Sequence, residues 1–212
     1  MVFSAVNVQI VSGSGVTDGA VNGEGNLVLG YDENPSGRAQ TGSHDLILGK
    51  ANSWTSYAQL VAGYNDTASG KYASVLGAAN SASGTYATVS GGYANVAKAT
   101  SASVSGGFHN TASAGYTSVS GGCSNLAGTG TPTANTTCTK TSGYPNSFAT
   151  VSGGVGNQAL TIGSLVGGGQ QNLAADAFSS ITGGCDNLTG FRQRPRQHLQ
   201  RHWDRERDGR WT

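Results

Sequence analysis

The sequence predicts an all-β fold, a parallel β-roll or β-solenoid in which each coil takes 14–15 residues. Three observations predict it. A short motif recurs along the chain, glycine supplies 34 of the 212 residues, and only 11% of the residues are charged. A motif of this length is too short for a helical hairpin, but it fits two strands of about five residues, each followed by a turn.

The repeat is clearest in the middle of the chain. Four consecutive copies are YASVLGAANSASGT (72–85), YATVSGGYANVAKAT (86–100), SASVSGGFHNTASAG (101–115) and YTSVSGGCSNLAGTG (116–130). Further copies begin at Phe148, lie around Val166 and begin at Phe178, and weaker copies upstream are GNLVLG (25–30), HDLILG (44–49) and AQLVAG (58–63). The regular spacing predicts a stack of about ten coils.

One aliphatic residue per copy is predicted to form the core. In Tyr-Ala-Ser-Val-Ser, alanine and valine are two residues apart and therefore share a face of a strand, whereas the serine between them faces away. The predicted core positions are Leu27, Leu46, Leu60, Val75, Val89, Val104, Val119, Val151, Val166 and Ile181.

Glycine and asparagine are predicted to make the corners. Gly-Gly after the first strand supplies the backbone freedom for a tight corner. An asparagine near the second corner can adopt a left-handed conformation and bond to neighbouring backbone, which favours a structural column over a ligand site. These turn asparagines are Asn80, Asn95, Asn110, Asn125, Asn157, Asn172 and Asn187.

An aromatic residue recurs at the start of the repeat. This stripe consists of Tyr57, Tyr72, Tyr86, Tyr116, Phe148 and Phe178. Because each coil offers few apolar atoms to its own interior, the stripe could contribute to an interface between parallel chains. The alternative, that each ring only caps the corner of its coil, stays equally open.

The motif (S/T)-V-S-G-G-x-x-N-x-A-x-G resembles the head repeat of YadA-like trimeric autotransporter adhesins over roughly residues 25 to 190. The resemblance implies a left-handed parallel β-roll, a homotrimer, and attachment to a host matrix protein, glycan or surface ligand at the bacterial cell surface. The chain has Val-Ser-Gly-Gly where that family commonly shows Val-Ala-Ile-Gly. The sequence shows no export signal, heptad stalk or membrane anchor, so a head fragment or an unusual stand-alone relative is expected.

The predicted organisation has three parts. Residues 1–24 form an N-terminal strand or lead-in segment, residues 25–190 form the repeat domain with an inserted loop at about 129–147, and residues 191–212 form a basic tail. The tail is interpreted as an out-of-frame translation product or a disordered segment, with a genuine basic arm as the rival. Residues 1–190 carry five basic against eight acidic side chains, which argues against nucleic acid as a partner.

Cysteine and histidine placement gives one predicted disulfide and no metal site. Cys123 stands before the inserted loop and Cys138 inside it, so a disulfide between them is favoured over two free thiols if the chain is exported. Cys185 occupies the same repeat position as Cys123.

No catalytic, cofactor-binding or metal-binding residues are predicted, and no enzymatic activity is expected. Histidines and acidic residues are scattered singly, and no apolar run of 18 residues could span a membrane. Attachment is therefore the leading function. An ice- or polysaccharide-binding solenoid, or a segment of a phage or secreted fibre, is the alternative.

Overall fold

The chain folds as a parallel β-solenoid with coils of about 15 residues, seen in a computed structural model that describes residue 5 and residues 7–131 and 148–190. These residues belong to two units, one on each side of residues 132–147. The strands, in chain order, are β1 (Leu27–Leu29), β2 (Leu46–Lys50), β3 (Ser53–Trp54), β4 (Leu60–Tyr64), β5 (Thr67–Ala68), β6 (Ser74–Ala78), β7 (Ser81–Ala82), β8 (Thr88–Val89), β9 (Val96–Ala97), β10 (Ser103–Val104), β11 (Thr111–Ala112), β12 (Ser118–Val119), β13 (Leu126–Ala127), β14 (Thr150–Val151), β15 (Gln158–Ala159), β16 (Leu165–Val166), β17 (Leu173–Ala174), β18 (Ser180–Ile181) and β19 (Leu188–Thr189).

Two parallel sheets build the first unit. The first sheet runs β1-β2-β4-β6-β8-β10-β12, and the second runs β3-β5-β7-β9-β11-β13. Every strand therefore pairs with the equivalent strand of the coil before or after it, as expected for a solenoid. From β2 onward, each coil contributes one strand to each sheet, and the predicted fold class is confirmed.

Small side chains fill the space between these sheets. Val75, Val89 and Val104 are fully buried and are paired in register along the first sheet. Ala82 and Ala97 are fully buried opposite them on the second sheet. The predicted alternation is confirmed, because the serine or threonine before each valine is only partly buried and points outward.

The predicted core positions Leu27, Leu46 and Leu60 are wrong by one residue. These leucines pair in register with one another, and Leu60 pairs with Ser74, an outward-facing position. Ile47 and Val61, the next residue in each strand, are 1% and 0% exposed and continue the valine column. A shift of one residue moves a side chain to the opposite face of a strand, so the leucines lie outside.

Trp54 occupies an inward position that the sequence did not reveal. It pairs with Ala68 at the head of the alanine column of the second sheet and is 3% exposed. The large ring fills the interior of the early coils, where later coils place only alanine.

The second unit repeats the arrangement on a smaller scale. Its sheets run β14-β16-β18 and β15-β17-β19. Val166, Ala174 and Ile181 form its buried cluster. Val151, a predicted core residue, pairs with Val166 but is 44% exposed, because it lies in the first described strand of this unit.

The described part of the lead-in, residues 7–24, contains no strand. It is tied to the first coils by side-chain hydrogen bonds: Ser12 N donates to His44 Nε2 (3.0 Å), and Asn22 N donates to Ser43 Oγ (3.0 Å). The predicted tail, 191–212, and most of the predicted loop lie outside the described residues.

Candidate functional site: the outer faces and the buried amide ladder

The outer face of the first sheet changes character along its length. One row of paired residues runs from Leu27 through Leu46 and Leu60 to hydroxyl residues, listed in pairing order as Ser74, Thr88, Ser103 and Ser118. A second row on the same face holds Leu29, Leu48, Ala62 and Leu76. The face is therefore apolar over the early coils and hydroxyl-bearing over the later ones.

The apolar end of this face is here called the leucine patch, and it consists of Leu27, Leu29, Leu46, Leu48, Leu60 and Leu76. Leu29 is 52% exposed and Leu27 is 43% exposed. Scattered leucines are ordinary on a protein surface, but a contiguous apolar face is typical of an interaction site. The leucine patch is the most apolar outer surface of the described sheets.

The outer row of the second sheet is mixed. It pairs Thr67, Ser81, Val96, Thr111 and Leu126 in register. Because apolar residues interrupt the hydroxyls, this face lacks the uniform threonine ladder that would match a crystal lattice.

The repeat asparagines form a buried ladder. Asn95 N donates to Asn80 Oδ1 (2.8 Å), and Asn110 N donates to Asn95 Oδ1 (2.9 Å). The amide nitrogens of Asn95 and Asn110 each also bond two glycine carbonyls: Asn95 Nδ2, for example, donates to Gly91 O (3.0 Å) and to Gly107 O (2.9 Å). Asn80, Asn95, Asn110 and Asn172 are at most 1% exposed, whereas Asn125, Asn157 and Asn187 lie on the more open ends of their units.

The expected left-handed conformation belongs to the residue before each asparagine. Ala79, Ala94 and His109 have φ near +55°, while Asn80, Asn95 and Asn110 do not have positive φ. This left-handed residue reverses the chain direction so that the following side chain points inward. The asparagine is thus a buried hydrogen-bonding group. Because its side chain is shielded from solvent, its position does not support a ligand role.

The Gly-x-x-Asn spacing has a steric cause. Gly92 has φ +82°, and a Cβ atom built on it would lie 2.6 Å from Asn95 Nδ2 and 2.2 Å from Gly107 O. Any side chain at this position would displace the amide of the asparagine three residues later and the main chain of the next coil. The second glycine of Gly-Gly therefore makes room for the ladder, in addition to permitting the corner.

Two aspartates stand in such ladders. Asp45 and Asp66 are 3% and 0% exposed, and Oδ2 of each is buried without a hydrogen-bond partner. Burial raises the pKa of Asp45 to about 7, against a backbone hydrogen bond from Gln59 that lowers it. Burial likewise raises the pKa of Asp66 to about 6, while the Asn80 backbone and the Arg38 charge lower it.

The aromatic stripe lies at the other corner. Tyr72, Tyr86 and Tyr116 have positive φ, and Tyr72 stacks on Tyr86 with ring centroids 5.3 Å apart. Tyr57 is buried and meets Tyr72 edge to face, whereas Tyr116 is 83% exposed. In the second unit, Phe148 and Phe178 also have positive φ. The rings thus cap corners over the first coils and form an exposed aromatic edge further along. The buried rings agree with the corner-capping interpretation, and the exposed rings leave an interface between parallel chains as the other interpretation.

The cysteines differ in state. Cys123 is disulfide-bonded, and Cys185 is a free, exposed thiol. Cys138, the predicted partner of Cys123, lies outside the described residues. Phe108 and Cys123 are paired across adjacent coils, as are Gln170 and Cys185, so the two cysteines hold equivalent places in their units.

No group of three metal-ligating side chains occurs within residues 7–131 and 148–190. In the same ranges, no helix is long and apolar enough to cross a bilayer. His44 binds the lead-in segment, and the His109 ring lies against Phe108 at 4.4 Å between centroids.

Comparison with protein-family models and with curated protein sequences finds no match to this chain.

Proposed function

We propose that this chain is the head of a surface-exposed, non-catalytic fibre that attaches to cells, matrix or other surfaces, and that three copies associate through the leucine patch. The observation that carries the proposal is the outer face of the first sheet, where a row of leucines gives way in register to a row of hydroxyls. The resemblance of the repeat to YadA-like heads supports a trimer at the bacterial cell surface.

The leucine patch supports the association step. Leu27, Leu29 and Leu46 are all more than a third exposed on the outer face of the first sheet. Fully burying an exposed leucine contributes roughly 1.5–3 kcal/mol, and the half-exposed Leu27, Leu29 and Leu46 would each contribute part of that on association. In a ring of three identical chains, neighbouring copies meet through heterologous contacts, and the leucine patch of each copy would face the shared threefold axis.

The hydroxyl rows support the attachment step. Ser74, Thr88 and Ser103 repeat at the strand spacing of about 4.8 Å on a flat surface. Such an array offers many weak hydrogen bonds in place of one deep pocket. Attachment through several weak contacts gains strength from multivalency, which a trimeric head would multiply.

Light scattering coupled to size exclusion tests the association. The expected mass is three times the 21.3 kDa of one chain. Leu29→Ser combined with Leu46→Ser should shift the protein to the single-chain mass, while Thr88→Ala, on the same face but outside the leucine patch, should leave the trimer intact. A wild-type protein that stays monomeric at 100 µM (roughly the range where weak oligomers form) would contradict the trimeric proposal.

Beads carrying the protein test attachment. They should bind surfaces coated with collagen or fibronectin more than uncoated ones, and Ser103→Lys with Thr88→Lys should reduce the binding. Equal binding by wild-type and doubly substituted beads would refute the role of the hydroxyl rows.

A polysaccharide-binding solenoid is the second candidate, favoured by the same regular hydroxyl row. Retention on cellulose or chitin by a monomeric protein would support it over the adhesive head. The mixed outer row of the second sheet argues against the ice-binding variant, and absence of thermal hysteresis would dispose of that variant.

A further inference from the structure

Asp66 replaces an asparagine in the buried amide ladder. Asp66 N donates to Asn52 Oδ1 (2.9 Å), and Asn80 N donates to Asp66 Oδ1 (2.8 Å). These are the same main-chain contacts that link Asn80 to Asn95 and Asn95 to Asn110. Oδ1 of Asp66 therefore accepts the same main-chain hydrogen bond that an asparagine Oδ1 accepts elsewhere in the ladder.

The other carboxyl oxygen stands where an asparagine carries its N–H groups. A Cβ atom built on Gly63 would lie 2.5 Å from Asp66 Oδ2 and 2.0 Å from Gly77 O. One coil later, a Cβ atom on Gly77 would lie 2.6 Å from Asn80 Nδ2 and 2.6 Å from Gly92 O. Asn80 Nδ2 donates to Gly92 O (3.0 Å), but Asp66 Oδ2 is buried without a partner. A carboxylate at this place would set its negative charge against a carbonyl oxygen, with no proton between them. A neutral acid could donate its proton to that carbonyl.

Asp45 shows the same substitution at the opposite corner. The residues before and after it in this column are amides: Asn26 Nδ2 donates to Gly42 O (2.9 Å), and Gln59 Nε2 donates to Gly70 O (2.8 Å). Asp45 Oδ1 accepts from Gln59 N (2.7 Å), and Asp45 Oδ2 is buried without a partner beside Gly42. Two independent ladders thus carry an acid where their neighbours carry an amide.

Few charged groups near Asp45 and Asp66 favour the ionised carboxyl over the neutral one. Arg38 is the charged group that acts on Asp66, but its guanidinium is engaged by Ala51 O (3.1 Å), Asn65 Oδ1 and Thr67 Oγ1. The His44 ring, next to Asp45 in sequence, is held by Ser12 N and lies 3.2 Å from Thr17 O. Among the described residues, no salt bridge involves either aspartate.

We propose that protonation of Asp45 and Asp66 holds the early coils together, and we call these two residues the locks. As a neutral acid, each donates its Oδ2 proton to a main-chain carbonyl of the next coil and completes its ladder. When the proton leaves to solvent, the buried carboxylate opposes that carbonyl and the coils between residues 44 and 80 loosen. The head is therefore tightest in acidic surroundings.

The direction of the effect follows from proton linkage. The pKa values of Asp45 and Asp66, about 7 and about 6, lie above the ordinary value of 3.8. The folded state therefore binds more protons than the unfolded state between pH 4 and pH 7. The stability that these acids contribute is fully present below about pH 4 and is lost as the pH rises through 6 to 7.

Hydrogen exchange and carboxyl NMR test the locks. In the full chain, peptides covering residues 60–80 should open at least about tenfold more often at pH 8 than at pH 5, after correction for intrinsic exchange. Asp66→Asn should remove most of this pH difference in the peptides that contain residue 66. Asp18→Asn, a substitution of an exposed aspartate, should leave the difference unchanged. Asn80→Asp should introduce a second pH-dependent opening one coil later.

Carbon-13 NMR reads the titration directly. Asp45 and Asp66 should titrate near pH 6–7, well above the ordinary aspartate pKa of 3.8. Titration of both buried aspartates near pH 4, or an unchanged pH dependence in Asp66→Asn, would overturn the proposal. A failure of Asp66→Asn to fold would also count against it, because the ladder is built to hold an amide.

Discussion

Replacing Asn95 by alanine removes the centre of the buried ladder. The side chain donates to Gly91 O and Gly107 O and accepts from Asn110 N, with distances of 2.9–3.0 Å. Gly107 O keeps a second donor, Tyr93 N at 2.9 Å, but the buried Asn110 N loses the amide oxygen that it bonds. Leaving a buried donor unpaired costs about 1–3 kcal/mol, and the lost bonds to the glycines add to that cost. We expect Asn95→Ala to lower the free energy of unfolding by about 2–4 kcal/mol.

The matched control is Asn125→Ala, in the same column of the same unit. Asn125 is exposed and donates its amide to Gly121 O (2.8 Å), where water can replace it. Its removal should lower the free energy of unfolding by about 0–1 kcal/mol.

Guanidinium denaturation followed by circular dichroism measures both losses. Repeat proteins can unfold in stages, so hydrogen exchange of peptides covering residues 86–115 should locate the weakened coils. Equal losses in the two variants, or a loss below about 0.5 kcal/mol in Asn95→Ala, would refute the ladder as a source of stability.

Two further pairs of substitutions test the corner and the core. Gly92→Ala should destabilise strongly, by about 2 kcal/mol or more, because its Cβ would meet Gly107 O, whereas Gly91→Ala, with open space around its Cβ, should be nearly neutral in the same denaturation assay. Val104→Ala should cost about 2 kcal/mol through lost burial and a cavity, and Thr88→Ala, on the outer face, should cost less than about 0.5 kcal/mol; similar losses for these two would contradict the assigned faces.

The solenoid and most of its core could be predicted because one residue type recurs at one spacing. Val89, Val104, Val119 and Val151 each have serine or threonine on both sides, so the alternation of a strand leaves a single inward choice there. In the coils before Val75, the residues on both sides of the inward position are apolar as well.

The register of the early coils could not be predicted from alternation. Leu-Val-Leu, Leu-Ile-Leu and Leu-Val-Ala are apolar on both faces, so either register buries an aliphatic residue. The glycines hold the missing signal: aligning Gly49, Gly63 and Gly77 places Ile47 and Val61 directly in line with Val75. The error hid the leucine patch, which is the strongest candidate interaction surface.

The inward role of the asparagines was equally hidden. Asparagine is common both in left-handed turns and in buried ladders, so its type alone does not separate the two. The constant Gly-x-x-Asn spacing favours the ladder, since a side chain on Gly92 would collide with the amide of Asn95. Trp54 had no such signal, because its surroundings, Asn-Ser-Trp-Thr, depart from the alanine found at that place in later copies.

Methyl NOE spectroscopy on valine-, leucine- and isoleucine-labelled protein tests the register of the stacked coils most directly. Strands of adjacent coils lie about 4.8 Å apart, so methyl groups in the same column should give strong cross-peaks. The structure predicts cross-peaks from Val89 to both Val75 and Val104, and from Val61 to Ile47 and Val75. Strong cross-peaks from Leu60 to Val75 in place of those from Val61 would contradict this stacking.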